Sequence, residues 1–260
     1  MINNCDMFKD IEGKKVLITG ASGDIGLEMA RIFAKYGACV GLHYSGDEKK
    51  KKQLLKLKVE METVSHKMEL FPGNLLDYDV RENLIKSFVD TFGKIDILIN
   101  NAGAMFDYKY FSELGEKAWD NSFNLNTKAP FRLSASAFDY MKEKGGRIIN
   151  ISSVNVRYGG SGKSLHYVAS KAALDSLTKG FAHEGAKYNI LVNSIRCGVI
   201  DTHMHTKIEG YTEENFKKRI KLIPLKRLGK PIDIARMALF LASEAGNFIT
   251  GQIFYVSGGD

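Results

Sequence analysis

Short apolar runs recur along the chain, and a segment with helical spacing follows most of them. The runs occupy 15–19, 38–44, 68–71, 95–100, 147–152, 190–195 and 252–256. They are rich in Ile, Val and Leu without strict alternation, the pattern of strands buried on both faces. Ile25, Met29, Ile32, Phe33 and Tyr36 share one helical face, and Gly37 offers a stop. Similar spacing over 80–92 ends at Gly93, a longer helix is expected over 169–188, and another over 232–241 with Pro231 at its start. Strand alternating with helix predicts an α/β fold, a doubly wound Rossmann-like parallel sheet with helices on both faces. Residues 1–260 read as a single domain in which 1–12 form an N-terminal extension. Ligands of such a sheet bind beyond the carboxyl ends of its strands, so functional residues are expected just after the runs.

The 260 residues, 44% hydrophobic and 26% charged, suit a soluble globular chain with a sizeable core. The net charge of +7 owes much to Lys49, Lys50, Lys51, Lys52, Lys56 and Lys58. Leu54, Leu55, Leu57 and Val59 run among them, which predicts an amphipathic surface helix. No aromatic residue interleaves these lysines, so a stacking platform for single-stranded nucleic acid is not indicated. Cys5, Cys39 and Cys197 are odd in number and far apart, against a disulfide framework or a zinc site. Reduced thiols and a cytoplasmic location are expected. The first residues lack a secretory pattern, and no apolar stretch is long enough to cross a bilayer.

The first run leads into Gly20, Ala21, Ser22, Gly23, Asp24, Ile25 and Gly26 and then a helix. Glycines permit a tight turn and close approach of a diphosphate, and the helix N-terminus attracts its charge. The second run ends in Leu42, His43, Tyr44, Ser45 and Gly46, with no acid to hold an adenosine ribose; Asp47 comes a few residues late. Without a carboxylate to repel a 2′-phosphate, NADP(H) is preferred over NAD(H), which stays open. No arginine stands ready, so Ser22, Ser45, His43 or a nearby lysine would hold that phosphate. The fourth run ends in Asn100, Asn101, Ala102 and Gly103, small enough for a ligand to lie against the strand end.

Tyr167 and Lys171, four apart at the start of a helix, share one face. An ammonium there lowers the phenol pKa, so that Tyr167 exchanges a proton near neutral pH. The fifth run ends in Ser152 and Ser153, whose hydroxyls can hold a substrate oxygen near Tyr167. Asn126 can anchor a backbone kink and a water. His203 and His205 lack a third ligand, so no metal is expected and substrate contact or plain surface is favoured.

Together these motifs resemble the short-chain dehydrogenase/reductase family, from Lys14 to Gly259. The glycine turn, the Asn-Asn-Ala-Gly segment, the Ser/Tyr/Lys set, and Ile249, Thr250, Gly251, Gln252, Gly258 and Gly259 fall in the family's order. Trp119-Asp120, Pro224-Leu225 with Arg227-Leu228-Gly229, and Phe240 through Ser243 are similar to the 3-oxoacyl-acyl-carrier-protein reductase group.

The resemblance implies an NADPH-dependent carbonyl reductase. Tyr167 would be the acid/base, Lys171 the group that tunes it and binds the nicotinamide ribose, Ser153 the carbonyl anchor, and Asn126 the holder of a relay water. Ser153 lies fourteen positions before Tyr167, one more than the family pattern, so the loop 154–166 is read as carrying one inserted residue. If the insertion lies elsewhere, Ser152 takes the role. Asn74 and Leu75 would meet adenine; Asn101, Ala102 and Gly103 the adenosine ribose; Gly198, Ile200 and Thr202 the nicotinamide side.

Two residues depart from the family pattern. Asp24 replaces a glycine near the diphosphate, and Cys197 replaces a proline, which is expected to loosen the following loop. Substrate choice would fall to 203–221, with His203, His205, Tyr211 and Phe216, and to Asn155, Arg157, Tyr158 and His166, which suit an oxygen-rich or anionic substrate. The expected partners are a small-molecule or carrier-bound carbonyl or alcohol substrate and further copies of the chain, as a homotetramer or homodimer. Neither nucleic acid nor a membrane is expected. Two other readings stay open: an NAD(P)-dependent alcohol, sugar or polyol dehydrogenase, and a nucleotide-binding module without catalysis.

Overall fold

Seven strands form one parallel sheet: β1 (Lys15–Ile18), β2 (Cys39–Tyr44), β3 (Lys67–Pro72), β4 (Ile97–Asn100), β5 (Gly146–Ser153), β6 (Ile190–Cys197) and β7 (Ile253–Val256). Their order is β3-β2-β1-β4-β5-β6-β7. This computed structural model describes residues 7–64, 67–203 and 212–260. All seven apolar runs are strands, to within two residues at most ends. Every residue of β2 and of β4 is buried, which explains why their sequences do not alternate.

The helices are α1 (Asp24–Lys35), α2 (Glu48–Glu60), α3 (Tyr78–Phe92), α4 (Glu116–Phe123), α5 (Ala129–Met141), α6 (Asn155–Tyr158), α7 (Leu165–Gly185), α8 (Glu213–Leu222) and α9 (Pro231–Ala242). One core joins α1, α2 and α9 to one sheet face through Met29, Phe33, Leu54 and Leu239. A second lies across the sheet, where Leu84, Phe88, Leu133 and Ala182 bring in α3, α5 and α7. Truncating fully buried Phe33 or Phe88 to alanine should cost about 3–5 kcal/mol.

The sequence reading missed α4, α5, α6 and α8. A π-helical turn, Asn124–Lys128, joins α4 to α5 and breaks the 3.6-residue spacing. α8 buries no residue, so it carries little apolar signal. The helix holding Tyr167 starts at Leu165, four residues earlier than the apolar spacing predicts, and gives way to a 3-10 turn at Ala186–Tyr188. The expected N-terminal extension is partly structured: Lys9–Ile11 form a 3-10 turn whose Ile11 is fully buried in the first core.

In a parallel sheet all the carboxyl ends lie along one edge. Here β1 connects towards β2 on one side while β4 lies on the other, so a crevice opens between their ends.

Candidate active site

The crevice is built first by Thr19 and Asn101. The Thr19 hydroxyl accepts the Asn101 and Ala102 N–H groups, each at 3.0 Å, and donates to the Ile99 carbonyl at 3.2 Å. The Asn101 amide donates to the carbonyls of Thr19 (2.8 Å) and Gly20 (3.0 Å). These bonds lock the end of β1 to the end of β4. Gly20 has φ +62°, and a Cβ there would lie 2.9 Å from the Ala102 Cα. Thr19, which motif reading passed over, is recognisable only as a hydroxyl at a buried strand end.

Gly103 faces the chemistry. A Cβ on it would lie 2.9 Å from Lys171 Nζ and 3.1 Å from Asn126 Oδ1. Asn126 sits on the π-helical turn with its side chain buried. Its Oδ1 accepts the Ala104 N–H (3.1 Å), while Nδ2 donates to the Ala104 carbonyl (2.9 Å) and to Ser170 Oγ (3.0 Å). Thr127 Oγ1 donates to the Ser170 carbonyl at 2.8 Å. The Asn126 side chain is therefore engaged in holding the β4 exit against α7.

Ser153, Tyr167 and Lys171 come together at the ends of β5 and α7. The Ser153 hydroxyl lies beside the Tyr167 hydroxyl, close enough to influence its pKa. Ser152 instead lies 3.5 Å from the Lys171 carbonyl. Lys171 Nζ donates to the Ile151 carbonyl (2.8 Å) and stands 5.9 Å from the Tyr167 ring centroid.

Burial acts against the lowering expected from the nearby ammonium. It pushes the Tyr167 phenol up to about 12, opposed by the Ser153 hydroxyl. Burial likewise brings the Lys171 ammonium down to about 8, against the pull of Cys197 and Asp175. The neighbouring Cys197 thiol is pushed up to about 12, also by burial, so it is a packed thiol rather than a nucleophile.

Backbone hydrogen bonds tie down the loop after Cys197. Gly198 N–H donates to the Val256 carbonyl (3.0 Å), Gly229 N–H to Val199 (3.0 Å) and Asp201 N–H to Gly229 (2.8 Å). Ile200 is buried and Thr202 half-buried beyond this tie.

His43 bridges two backbone groups. Its Nδ1 accepts the Gly20 N–H at 3.3 Å and its Nε2 donates to the Gly73 carbonyl at 3.0 Å. Burial holds its pKa down to about 4, which disfavours the charged ring. Tyr44 is buried, Ser45 exposed, and Ser22 half-buried in the turn. Lys50 Nζ donates to Ser45 Oγ at 2.9 Å, and Asp47 caps α2 by accepting the Lys50 N–H. Asn74 Oδ1 accepts the Leu76 N–H at 3.0 Å, and Leu75 is buried in the second core.

Of the loop residues expected to meet substrate, His166 is buried and donates to the Phe106 carbonyl at 2.6 Å. Arg157 lies over the rings of Tyr158 and Tyr255. A cleft of about 430 Å³ between α4 and the start of α7 is lined by Phe111, Trp119, Leu165 and His166, and by none of Ser153, Tyr167 and Lys171. Cys5, His205 and Tyr211 lie outside the described residues. Among the described residues there is no cluster of metal-ligating side chains, and no helix is long and apolar enough to cross a membrane.

A family model described as enoyl-(acyl carrier protein) reductase matches residues 20–260. The 3-oxoacyl-[acyl-carrier-protein] reductase of Thermotoga maritima is 38% identical over 250 residues, covering 96% of this chain and 98% of that protein. A blue fluorescent protein from a metagenomic library, solved in complex with NADPH, superposes with a TM-score of 0.87 at 30% identity, over 96% of this chain and 98% of that one. A short-chain dehydrogenase/reductase from Serratia marcescens gives 0.87 at 29% identity with the same coverage.

Proposed function

The chain belongs to the short-chain dehydrogenase/reductase family of NAD(P)-dependent oxidoreductases, and we propose that it is an NADPH-dependent reductase of a 3-oxoacyl or related ketone. The observation that carries this reading is the Ser153–Tyr167–Lys171 group at the strand ends, facing Gly103. A bound nicotinamide supplies the hydride. The chain's own residues do the rest: Ser153 and Tyr167 hold the carbonyl oxygen, and Tyr167 releases its hydroxyl proton to that oxygen as the alcohol forms.

A phenol held at about 12 keeps its proton at neutral pH yet remains a stronger acid than an alcohol. The Lys171 ammonium, protonated below about 8, stabilises negative charge as the proton leaves. A nucleotide-binding module without catalysis would not require this group.

The 38% identical reductase of acyl-carrier-protein substrates supports the substrate class. Preference for NADPH rests on the missing acid after β2 and on Lys50 beside Ser45. The turn fits a dinucleotide: Gly20, Ser22, Gly23, Ile25 and Gly26 would line the diphosphate, Asn74 and Leu75 the adenine, and Ile200 and Thr202 the nicotinamide. Exposed Trp119, Phe131 and Leu165 on α4, α5 and α7, with Tyr255 on β7, support self-association as a dimer or tetramer. Buried free Cys39 and Cys197 agree with a cytoplasmic setting.

The test is Tyr167→Phe, assayed by NADPH consumption with a 3-oxoacyl thioester. Turnover is expected to vanish while NADPH binding, read by fluorescence, persists. Retained turnover would sink the mechanism.

A further inference from the structure

Asp24 puts a carboxylate where the family pattern has a glycine. It is the first residue of α1, immediately after the glycine turn. A carboxylate in the first turn suits the helix dipole, but an anionic diphosphate docking at the same N-terminus must share that space. Like charges at such a place weaken binding unless one is turned away or paired.

Both carboxylate oxygens of Asp24 have donors from one residue 179 positions later. Oδ2 accepts the His203 backbone N–H at 2.8 Å, and Oδ1 accepts His203 Nδ1–H at 3.0 Å. The side-chain bond needs hydrogen on Nδ1, which the charged ring and the Nδ1–H tautomer of the neutral ring both supply. The Asp24 side chain is only 27% exposed while that of His203 is 87% exposed. Water alone therefore does not disperse the Asp24 charge. His203 also lies directly beyond Thr202, on the segment leaving β6.

We propose that His203 is a positioning residue for dinucleotide binding: it draws the Asp24 carboxylate off the diphosphate turn, and in doing so ties that turn to the segment after β6. The inference rests on the nicotinamide reading above. His203 then acts on affinity through Asp24 without touching the dinucleotide, so the two residues must be energetically coupled.

The experiment is a double-mutant cycle on the full chain, with dissociation constants for NADPH and NADH measured by fluorescence titration. His203→Ala removes the imidazole donor to Asp24 Oδ1 but keeps the backbone N–H on Oδ2, and is expected to weaken both dinucleotides by about three- to tenfold, the size of one lost hydrogen bond. Asp24→Asn is expected to bind at least as tightly as the parent. In the Asp24→Asn background, His203→Ala should change affinity by less than about twofold, the limit of additive behaviour. His203→Gln, which keeps the backbone donor and a side-chain donor, should fall between parent and His203→Ala.

An equal loss on His203→Ala in both backgrounds would mean direct contact with the dinucleotide and would overturn the proposal. So would no loss at all, or a loss confined to NADPH, since the diphosphate is common to both probes. A parent protein that binds neither dinucleotide would overturn the nicotinamide reading and this inference together, whereas the other outcomes remove this inference alone.

Discussion

Lys171 Nζ donates a 2.8 Å hydrogen bond to the Ile151 carbonyl, on the strand that ends in Ser153. The bond aims the ammonium at the site but does not cancel its desolvation, and the pKa falls to about 8. Function here opposes stability. Lys171→Met is expected to abolish turnover while stabilising the fold by about 1–3 kcal/mol at neutral pH, because a buried charge is removed. Urea unfolding measures this. A destabilised variant would mean that the bond to Ile151 outweighs the desolvation.

The same burial sets the alkaline behaviour. The Lys171 pKa is about 8 folded against 10.5 for the free side chain. Between those values the unfolded chain holds the extra proton, so the lysine's cost is full below pH 8 and is relieved as pH rises towards 10.5. Tyr167 has the opposite sign. Its pKa of about 12 exceeds 10.0, so from pH 10 upward the folded chain holds the extra proton and this contribution is lost through pH 12. Urea midpoints should therefore gain from Lys171 between pH 8 and 10, a gain absent in Lys171→Met. Over the same range kcat/KM for reduction should decline, as free enzyme loses the ammonium above about 8.

Gly103→Ala tests the opening between Lys171 and Asn126. The new methyl would lie 2.9 Å from Nζ and 3.1 Å from Oδ1. A lysine tip can shift at little energetic cost, whereas Asn126 is held by three hydrogen bonds. The displacement therefore falls on Lys171. Reductase activity is expected to drop about 10- to 100-fold, as small misplacements in active sites do, with a midpoint shift of only a few degrees. A large loss of stability with activity preserved would show that the backbone, not Lys171, had moved.

The strands were legible because a doubly covered sheet demands continuous apolar runs, and Tyr167 and Lys171 because their four-residue spacing is local. That same double covering hid the role of His43. With all six residues of β2 buried, polarity does not tell which face or neighbour each side chain meets. The π-helical turn at Asn124–Lys128 defeated the helical period, and low apolar content hid α8. The Asp24–His203 bonds join residues 179 apart, and no local rule foretells them. Sequence shows the lysine near Tyr167 but not the burial that raises the phenol pKa.

His43 gives the last test, because its environment separates two roles. Its ring links the glycine turn at Gly20 to Gly73 after β3. Replacing it by Phe leaves both backbone groups without that partner and is expected to destabilise by about 1–3 kcal/mol. The folded pKa of about 4 lies below the usual 6.5. Between those values the unfolded chain binds the extra proton, so the stabilising contribution present above pH 6.5 is lost as pH falls towards 4. Urea midpoints from pH 7 to 4.5 should fall less steeply in His43→Phe than in the parent. Because the buried ring carries no charge at neutral pH, the ratio of NADPH to NADH affinity should be unchanged in this variant. Lys50→Ala, which removes the ammonium beside Ser45, should lower that ratio about tenfold, the value of a charge-assisted contact. A lowered ratio in His43→Phe together with an unchanged one in Lys50→Ala would return the 2′-phosphate to His43.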